Sequence, residues 1–351
     1  MAARVTLPSP EILAAAWRRL DRLTKPPRSL GQIEEWGARY CAIRGEVPPP
    51  PLRAGALVFA ADHGVTAEGV SAYPAEVTAQ MVLNFVRGGA AVNALAREQG
   101  AALRVVDVGV RSDLPPHSGL LIRKVAQGTR NFLREPAMTA AEAEEVLRGG
   151  FDAAQGMARE GVTALALGEM GIGNTTAAAA LSAALLGFPA PELVGPGTGV
   201  EGPALERKRE VVEGAFRRIG PGPRPPMEVL RQVGGFEIGA LAGAILGGAA
   251  AGAAVFVDGF VVTAAALLAR ALCPQAMAYC FPSHLSAEPG HARQLESLGW
   301  EPPIRMAMRL GEGTGALLAV GLLRAGLRAF VEMATFEEAG VSDKREPGGG
   351  T

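Results

Sequence analysis

Aromatic residues are scarce in this 351-residue chain, at 5%, so alanine, leucine and valine have to fill its core. Cysteine is scarcer still. Cys41, Cys273 and Cys280 are odd in number and none lies in a CxxC pair, which argues against a disulfide framework or a zinc cluster. Three plain thiols suit a reducing cytoplasm. Net charge is nearly absent: 34 basic residues face 35 acidic ones, a balance of −1. A protein that grips a phosphodiester backbone shows a basic excess, so nucleic acid is not expected as a partner. The N-terminus has no uninterrupted apolar stretch, so no signal peptide is expected. The uncharged run Ile238–Val257 has the length of a membrane span, about 20 residues. It is mostly alanine and glycine between Glu237 and Asp258, however, and reads as a buried helix followed by a strand rather than a membrane segment.

Glycine (46) and proline (26) are abundant. At about 150 residues per domain, the length predicts two domains or one large α/β domain with attachments. Residues 8–46 read as helical, with Ser9 as a cap before Pro10. A Pro-rich spacer, Val47–Arg53, follows. Beyond it, apolar runs alternate with helical ones. Ala56–Asp62, Leu103–Val110, Val162–Glu169 and Ala253–Phe260 read as buried strands, and Gln275–Phe281 is a candidate fifth. Such alternation predicts a Rossmann-like, mostly parallel sheet with helices on both faces. Chemistry on such a sheet belongs beyond the carboxyl ends of its strands. An apolar helix is expected over Leu317–Met333, and the tail Asp343–Thr351 is expected to be frayed.

Several loops could carry chemistry. In GEMGIGNTT, Glu169 ends a strand and Gly171, Gly173, Asn174, Thr175 and Thr176 open a helix. Backbone N–H groups there could hold an anion, or the loop could be a close-packed capping turn. It lacks the GKS/T of a nucleoside-triphosphate loop and the GxGxxG of a dinucleotide fold. GPGTGV supplies Gly197, Thr198 and Gly199 ahead of a helix bearing Lys208. Asp62 and His63 follow a strand, and His117, His284 and His291 lie elsewhere. No HxH or HExxH spacing supports a metal, which leaves an acid–base pair or structural hydrogen bonding. Glu312 sits between two glycines before an apolar helix, where partial burial would raise its pKa and suit it to act as a general base.

LTKPPRSLGQIE, ADHGVTAEGVSAYPAEVTAQM, GTRNF with PAM, GEMGIGNTT, GPGTGV with Lys208, VGGFEIGALAG, VDGF, PSHLSAEPGH and RLGEGTGALLA fall in order along nearly the whole chain. In this combination the sequence resembles the nicotinate-nucleotide–dimethylbenzimidazole phosphoribosyltransferase family. The resemblance implies an α/β catalytic domain at 51–316 and a small helical domain built from residues 1–50 and 317–351. It implies transfer of the 5-phosphoribosyl group of nicotinate mononucleotide to 5,6-dimethylbenzimidazole, without metal or cofactor, by a cytoplasmic homodimer. It assigns Glu312 as the base. It places Glu169, the two Gly-rich loops, Lys208, Ser283, His284 and Ser286 around the phosphoribosyl group. Tyr73, Met81 and Leu310 fall at the base pocket, with Asp62, His63 and Asp258 in support. Some relatives carry serine and glutamine at the Tyr73 and Met81 positions, so adenine or a phenolic base remains open as acceptor. A binding protein without turnover on the same fold is the reading from another class.

Overall fold

The computed structural model describes residues 1–197, 199–220 and 222–342. The chain divides into two compact units, residues 1–7 with 52–320 and residues 8–51 with 321–351. The tail expected to fray, Asp343–Thr351, lies outside the described residues.

The smaller unit begins where the side chain of Ser9 accepts from the Ile12 N–H (3.2 Å) and opens α1, Pro10–Leu20. The paired prolines of LTKPPRSL break the helix, and α2 runs from Gln32 to Arg44. Lys25 and Glu34, both almost fully buried, pair at 2.7 Å across that break. The second Glu34 oxygen accepts from the Leu30 N–H at 2.7 Å. The motif thus closes its own turn around a dry ion pair. Leu20, Leu23, Cys41 and Phe330 pack together as this unit's core.

In the larger unit β1 (Ala54–Ala61) is buried at all eight positions, as its unbroken apolar run requires. It leads through α3 (Val77–Arg87) and α4 (Ala91–Glu98) to β2 (Ala102–Gly109) and a short β3 (Leu120–Ile122). Then follow α5 (Ala140–Arg159), β4 (Ala164–Met170), α6 (Asn174–Leu186), α7 (Pro203–Ile219), α8 (Pro226–Val233), α9 (Phe236–Ala250), β5 (Ala254–Val257) and α10 (Phe260–Leu272). The chain ends through β6 (Cys280–Pro282), α11 (Pro289–Leu298), α12 (Thr314–Glu332) and α13 (Phe336–Ala339). The described strands form one sheet, all parallel, in the order β3-β2-β1-β4-β5-β6. Strand order reverses between β1 and β4, and in open α/β sheets the crevice at such a reversal is where ligands bind.

One strand expectation needs correction, and one strand was not expected. Gln275–Tyr279 lies in a 3-10 turn, so only Cys280–Pro282 pairs with β5. Pro274 opens that turn, where its fixed φ suits a helical start. The edge strand β3 has three residues, with burial falling from Leu120 to an exposed Ile122, too short to leave a sequence pattern.

The uncharged run Ile238–Val257 resolves into a helix and a strand, α9 and β5, as its composition suggested. Glycines let α9 lie directly on α5: a methyl group at Gly150 would overlap the Ala240 carbonyl, and one at Gly243 the Leu147 carbonyl. By length and composition α12 is apolar enough to cross a membrane, and 56% of that stretch is buried within the protein.

Candidate active site

Asp62 and His63 leave β1 at the reversal point. Asp62 accepts from the Arg111 N–H at 2.7 Å and ties the end of β1 to the loop after β2. The His63 Nε2 lies 2.7 Å from an oxygen of Glu237, in the first turn of α9, and both side chains are fully buried. Both residues therefore hold neighbouring chain in place. Glu68, further along this loop, accepts from Asn131 (2.7 Å), Arg134 (3.2 Å) and Arg207 (2.8 Å). That clamp accounts for the GTRNF segment. Among the described residues, no three histidine, cysteine or acidic side chains gather as a metal-holding group.

The GEMGIGNTT loop runs from β4 into α6. Glu169 accepts a short hydrogen bond from the Asn174 side-chain amide. The Ile172 N–H donates to the buried Thr78 hydroxyl of α3 at 3.1 Å. Gly171 packs against the Ala61 carbonyl and His63, and Gly173 takes φ +90° before the first turn of α6. The second glycine loop meets the first through Lys208. This ammonium, 1% exposed, donates to the Thr175 hydroxyl and to the Gly195 carbonyl, each at 2.8 Å. The Gly197 backbone lies close against both Thr175 and Lys208, and Gly199 turns the chain at φ +110°. Thr198 lies outside the described residues. Burial pulls the Lys208 pKa down to about 8, with Glu288 opposing. The buried Thr176 hydroxyl has no hydrogen-bond partner among the described residues.

Glu312 stands on the strand-end side of the same crevice. Its φ is +62°, between Gly311 at +85° and Gly313 at +88°. A left-handed conformation costs a residue with a Cβ roughly 1–2 kcal/mol, so Glu312 persists in it only where the surroundings enforce it. The enforcing contacts are visible. Gly168 of β4 lies so close to the Glu312 carbonyl that a side chain there would overlap it. Asp258, the residue after β5, accepts from the Gly313 N–H (3.1 Å) and the Ala316 N–H (3.0 Å) at the start of α12. The Glu312 carboxylate is buried and accepts from the Val92 N–H of α4 at 3.4 Å.

Glu169, Glu237, Asp258 and Glu312 therefore crowd one sheet edge. Glu169 is pushed up to about 8, by burial first and then by Glu237 and Asp258, with Glu312 adding, although its side of the crevice is partly open. Asp258 is raised mainly by burial, and Glu312 by burial with Asp258 adding. The His284 Nδ1 lies 3.0 Å from the Ser283 hydroxyl and 3.7 Å from Asp258. Both contacts fall on one ring nitrogen, so the three do not form a nucleophilic triad. His291 donates through Nε2 to the Thr263 hydroxyl (2.9 Å), which itself donates to the Gly259 carbonyl, and accepts at Nδ1 from the Ser286 N–H (2.9 Å). It is thereby held neutral, with burial pulling its pKa down to about 3. Ser286 and its neighbours are pinned as one rigid segment.

Tyr73 and Leu310 are exposed, at 52% and 57%. Leu310 adjoins the Glu312 turn, and half-buried Met81 lies one helical turn from the Thr78 contact to the glycine loop. Sequence reasoning missed Glu237, Glu288 and Thr78. Glu237 carried a signal: a lone charge within an apolar helix is seldom buried unpaired. A cavity of about 610 Å³ lies at the far end of α6, lined by Leu186, Phe216 and Ile219. Arg224, the one cation among its described lining residues, is engaged with the Ile219, Gly220 and Gly222 carbonyls.

The Glu312 turn packs against Gly168 on the strand that leads into the first glycine loop, and a buried lysine staples that loop to the second. A phosphoribosyltransferase family model matches residues 5–341, which settles the class. The nicotinate-nucleotide–dimethylbenzimidazole phosphoribosyltransferase of Thermus thermophilus is 55% identical over 333 residues, covering 95% of this chain and 99% of its own. Its Geobacter sulfurreducens counterpart is 51% identical, covering 95% of each. A crystal structure of the Thermus thermophilus enzyme superposes with a TM-score of 0.90 at 53% identity, over 96% of this chain and all of that one. The chain belongs to the nicotinate-nucleotide–dimethylbenzimidazole phosphoribosyltransferase family.

Proposed function

We propose that this enzyme transfers the 5-phosphoribosyl group of nicotinate mononucleotide to 5,6-dimethylbenzimidazole with inversion, making α-ribazole 5′-phosphate for the lower ligand of cobalamin. The C1′–N bond of the nucleotide breaks, and its electron pair returns to a pyridinium nitrogen that becomes neutral. Nicotinate therefore leaves without a general acid. A benzimidazole nitrogen attacks C1′ from the opposite face, through an oxocarbenium-like centre of the kind met in glycosyl transfer. The new cationic ring then releases the proton on its other nitrogen to Glu312. Positioned proton transfer of this kind is worth about 10²–10⁴ in rate, or roughly 3–5 kcal/mol.

The observation that carries the reading is Glu312, buried in a forced turn against Gly168 on the strand that leads into the Lys208-stapled loop. The first turn of α6 and the Gly197–Gly199 loop hold the phosphate, with Lys208 supplying charge. Glu169 and Asn174, with Ser283, His284 and Ser286, face the ribose phosphate. Tyr73, Met81 and Leu310 wall the acceptor base. The enzyme works as a cytoplasmic homodimer, which sedimentation of the purified chain would test.

The direct test offers nicotinate mononucleotide with 5,6-dimethylbenzimidazole, adenine and a phenol in competition, reading the ribotide by mass. A dominant α-ribazole 5′-phosphate product is expected. A dominant adenine or phenolic ribotide would reassign the acceptor, and nucleotide binding without nicotinate release from any base would reduce the protein to a binder.

A further inference from the structure

We propose that Asp258 is the positioning residue for Glu312. Its carboxylate, anchored where β5 ends, clamps the Gly311–Gly313 turn and so aims the base into the crevice. The proposal rests on Glu312 being that base. Both Asp258 oxygens are used: Oδ2 accepts from the Gly313 N–H at 3.1 Å and Oδ1 from the Ala316 N–H at 3.0 Å. One accepting group therefore spans the residue after Glu312 and the first turn of α12. A carboxylate there also complements the positive end of that helix. The clamp has no slack. Asp258 is 1% exposed, and a side chain at Gly315 would overlap His284 and crowd Asp258. His284 closes the other side at 3.7 Å.

The geometry has a second consequence. The groups facing Glu312 are Asp258 from β5, Glu169 from β4 and the Val92 N–H from α4. Behind them stand His284, against Asp258, and Glu237, against Glu169. Asp258 thus contributes negative charge beside the base and makes it a stronger proton acceptor, besides holding its backbone. Asparagine at 258 would keep the shape, remove the charge and present an amide N–H to one of the two backbone donors.

The test compares the full-length chain with Asp258→Asn and Glu312→Gln, using nicotinate mononucleotide and 5,6-dimethylbenzimidazole. For Asp258→Asn we expect kcat to fall at least ~10-fold with the nucleotide KM within ~2-fold, because the clamp serves the base in the transition state and not the bound nucleotide. The acid limb of its kcat–pH profile should move to lower pH. Wild-type kcat with an unmoved limb, while Glu312→Gln is inactive, would overturn the positioning role and leave the base standing. Full turnover by Glu312→Gln would overturn both. Hydrogen exchange on the unaltered protein guards against a variant that fails to fold. The Gly313 and Ala316 amides should be strongly protected, and free exchange of either would overturn the clamp.

Discussion

At the scale of single residues, the site depends on a glutamate that its surroundings hold in a backbone conformation suited to glycine. Replacing Glu312 by glutamine keeps the turn and removes the proton acceptor. Turnover is expected to drop at least ~100-fold with nucleotide affinity nearly unchanged, read by steady-state kinetics and calorimetric titration. As the proposed proton acceptor, Glu312 would act in its ionised form. Its pKa lies above the ordinary 4.5, so activity should be lost as pH falls through that raised value. At the other end, Lys208 loses its charge as pH rises through about 8, so the nucleotide KM should climb above that pH. Lys208→Ala should raise the same KM at every pH and abolish its alkaline rise. An unmoved KM would remove Lys208 from the phosphate. That Lys208 is buried at all was not legible: a lone lysine on a helix reads as solvated, and only its contact with Thr175 and Gly195, 33 and 13 residues away, reveals otherwise.

Among the elements, α5 and α9 touch backbone to backbone because glycine stands at Gly150, Gly243 and Gly247. The glycine richness of the sequence was plain, but which glycines make a helix contact required both partners. Gly243→Val would drive a branched side chain into the Leu147 carbonyl. A loss of about 1–3 kcal/mol or more is expected from overpacking, measured by urea unfolding. The central strands were readable because their apolar runs are unbroken. The three-residue β3 was not, since a pattern that short cannot be told from a loop, and the equally short β6 was read too early, as part of Gln275–Phe281. In the smaller unit, Glu34→Ala would strand Lys25 in a dry setting, at a cost of about 3–5 kcal/mol.

For the whole molecule, the strand order 3-2-1-4-5-6 gathers the ends of β1, β4 and β5 at one edge. Their acidic residues arrive from positions 62, 169 and 258. With Glu237 from α9 and Glu312 from the turn before α12, Glu169 and Asp258 make a crowd of four carboxyls, which costs stability. At about 100 times its Kd, nicotinate mononucleotide should stabilise the fold by about 2.7 kcal/mol, a gain that scanning calorimetry would detect. The same addition to Lys208→Ala should give a smaller shift at equal concentration.

The sequence by itself determined the fold class, where the main strands lie along the chain, the two glycine loops and the glutamate between glycines. Those follow from local rules: apolar periodicity, turn chemistry and the need of a parallel sheet for crossovers. Only the tertiary structure decided which distant groups meet. It paired His63 with Glu237, stapled the glycine loops through Lys208, and brought Asp258 to the amides that flank Glu312. Such meetings depend on strand order and on how closely helices approach, and no local stretch of sequence encodes either alone.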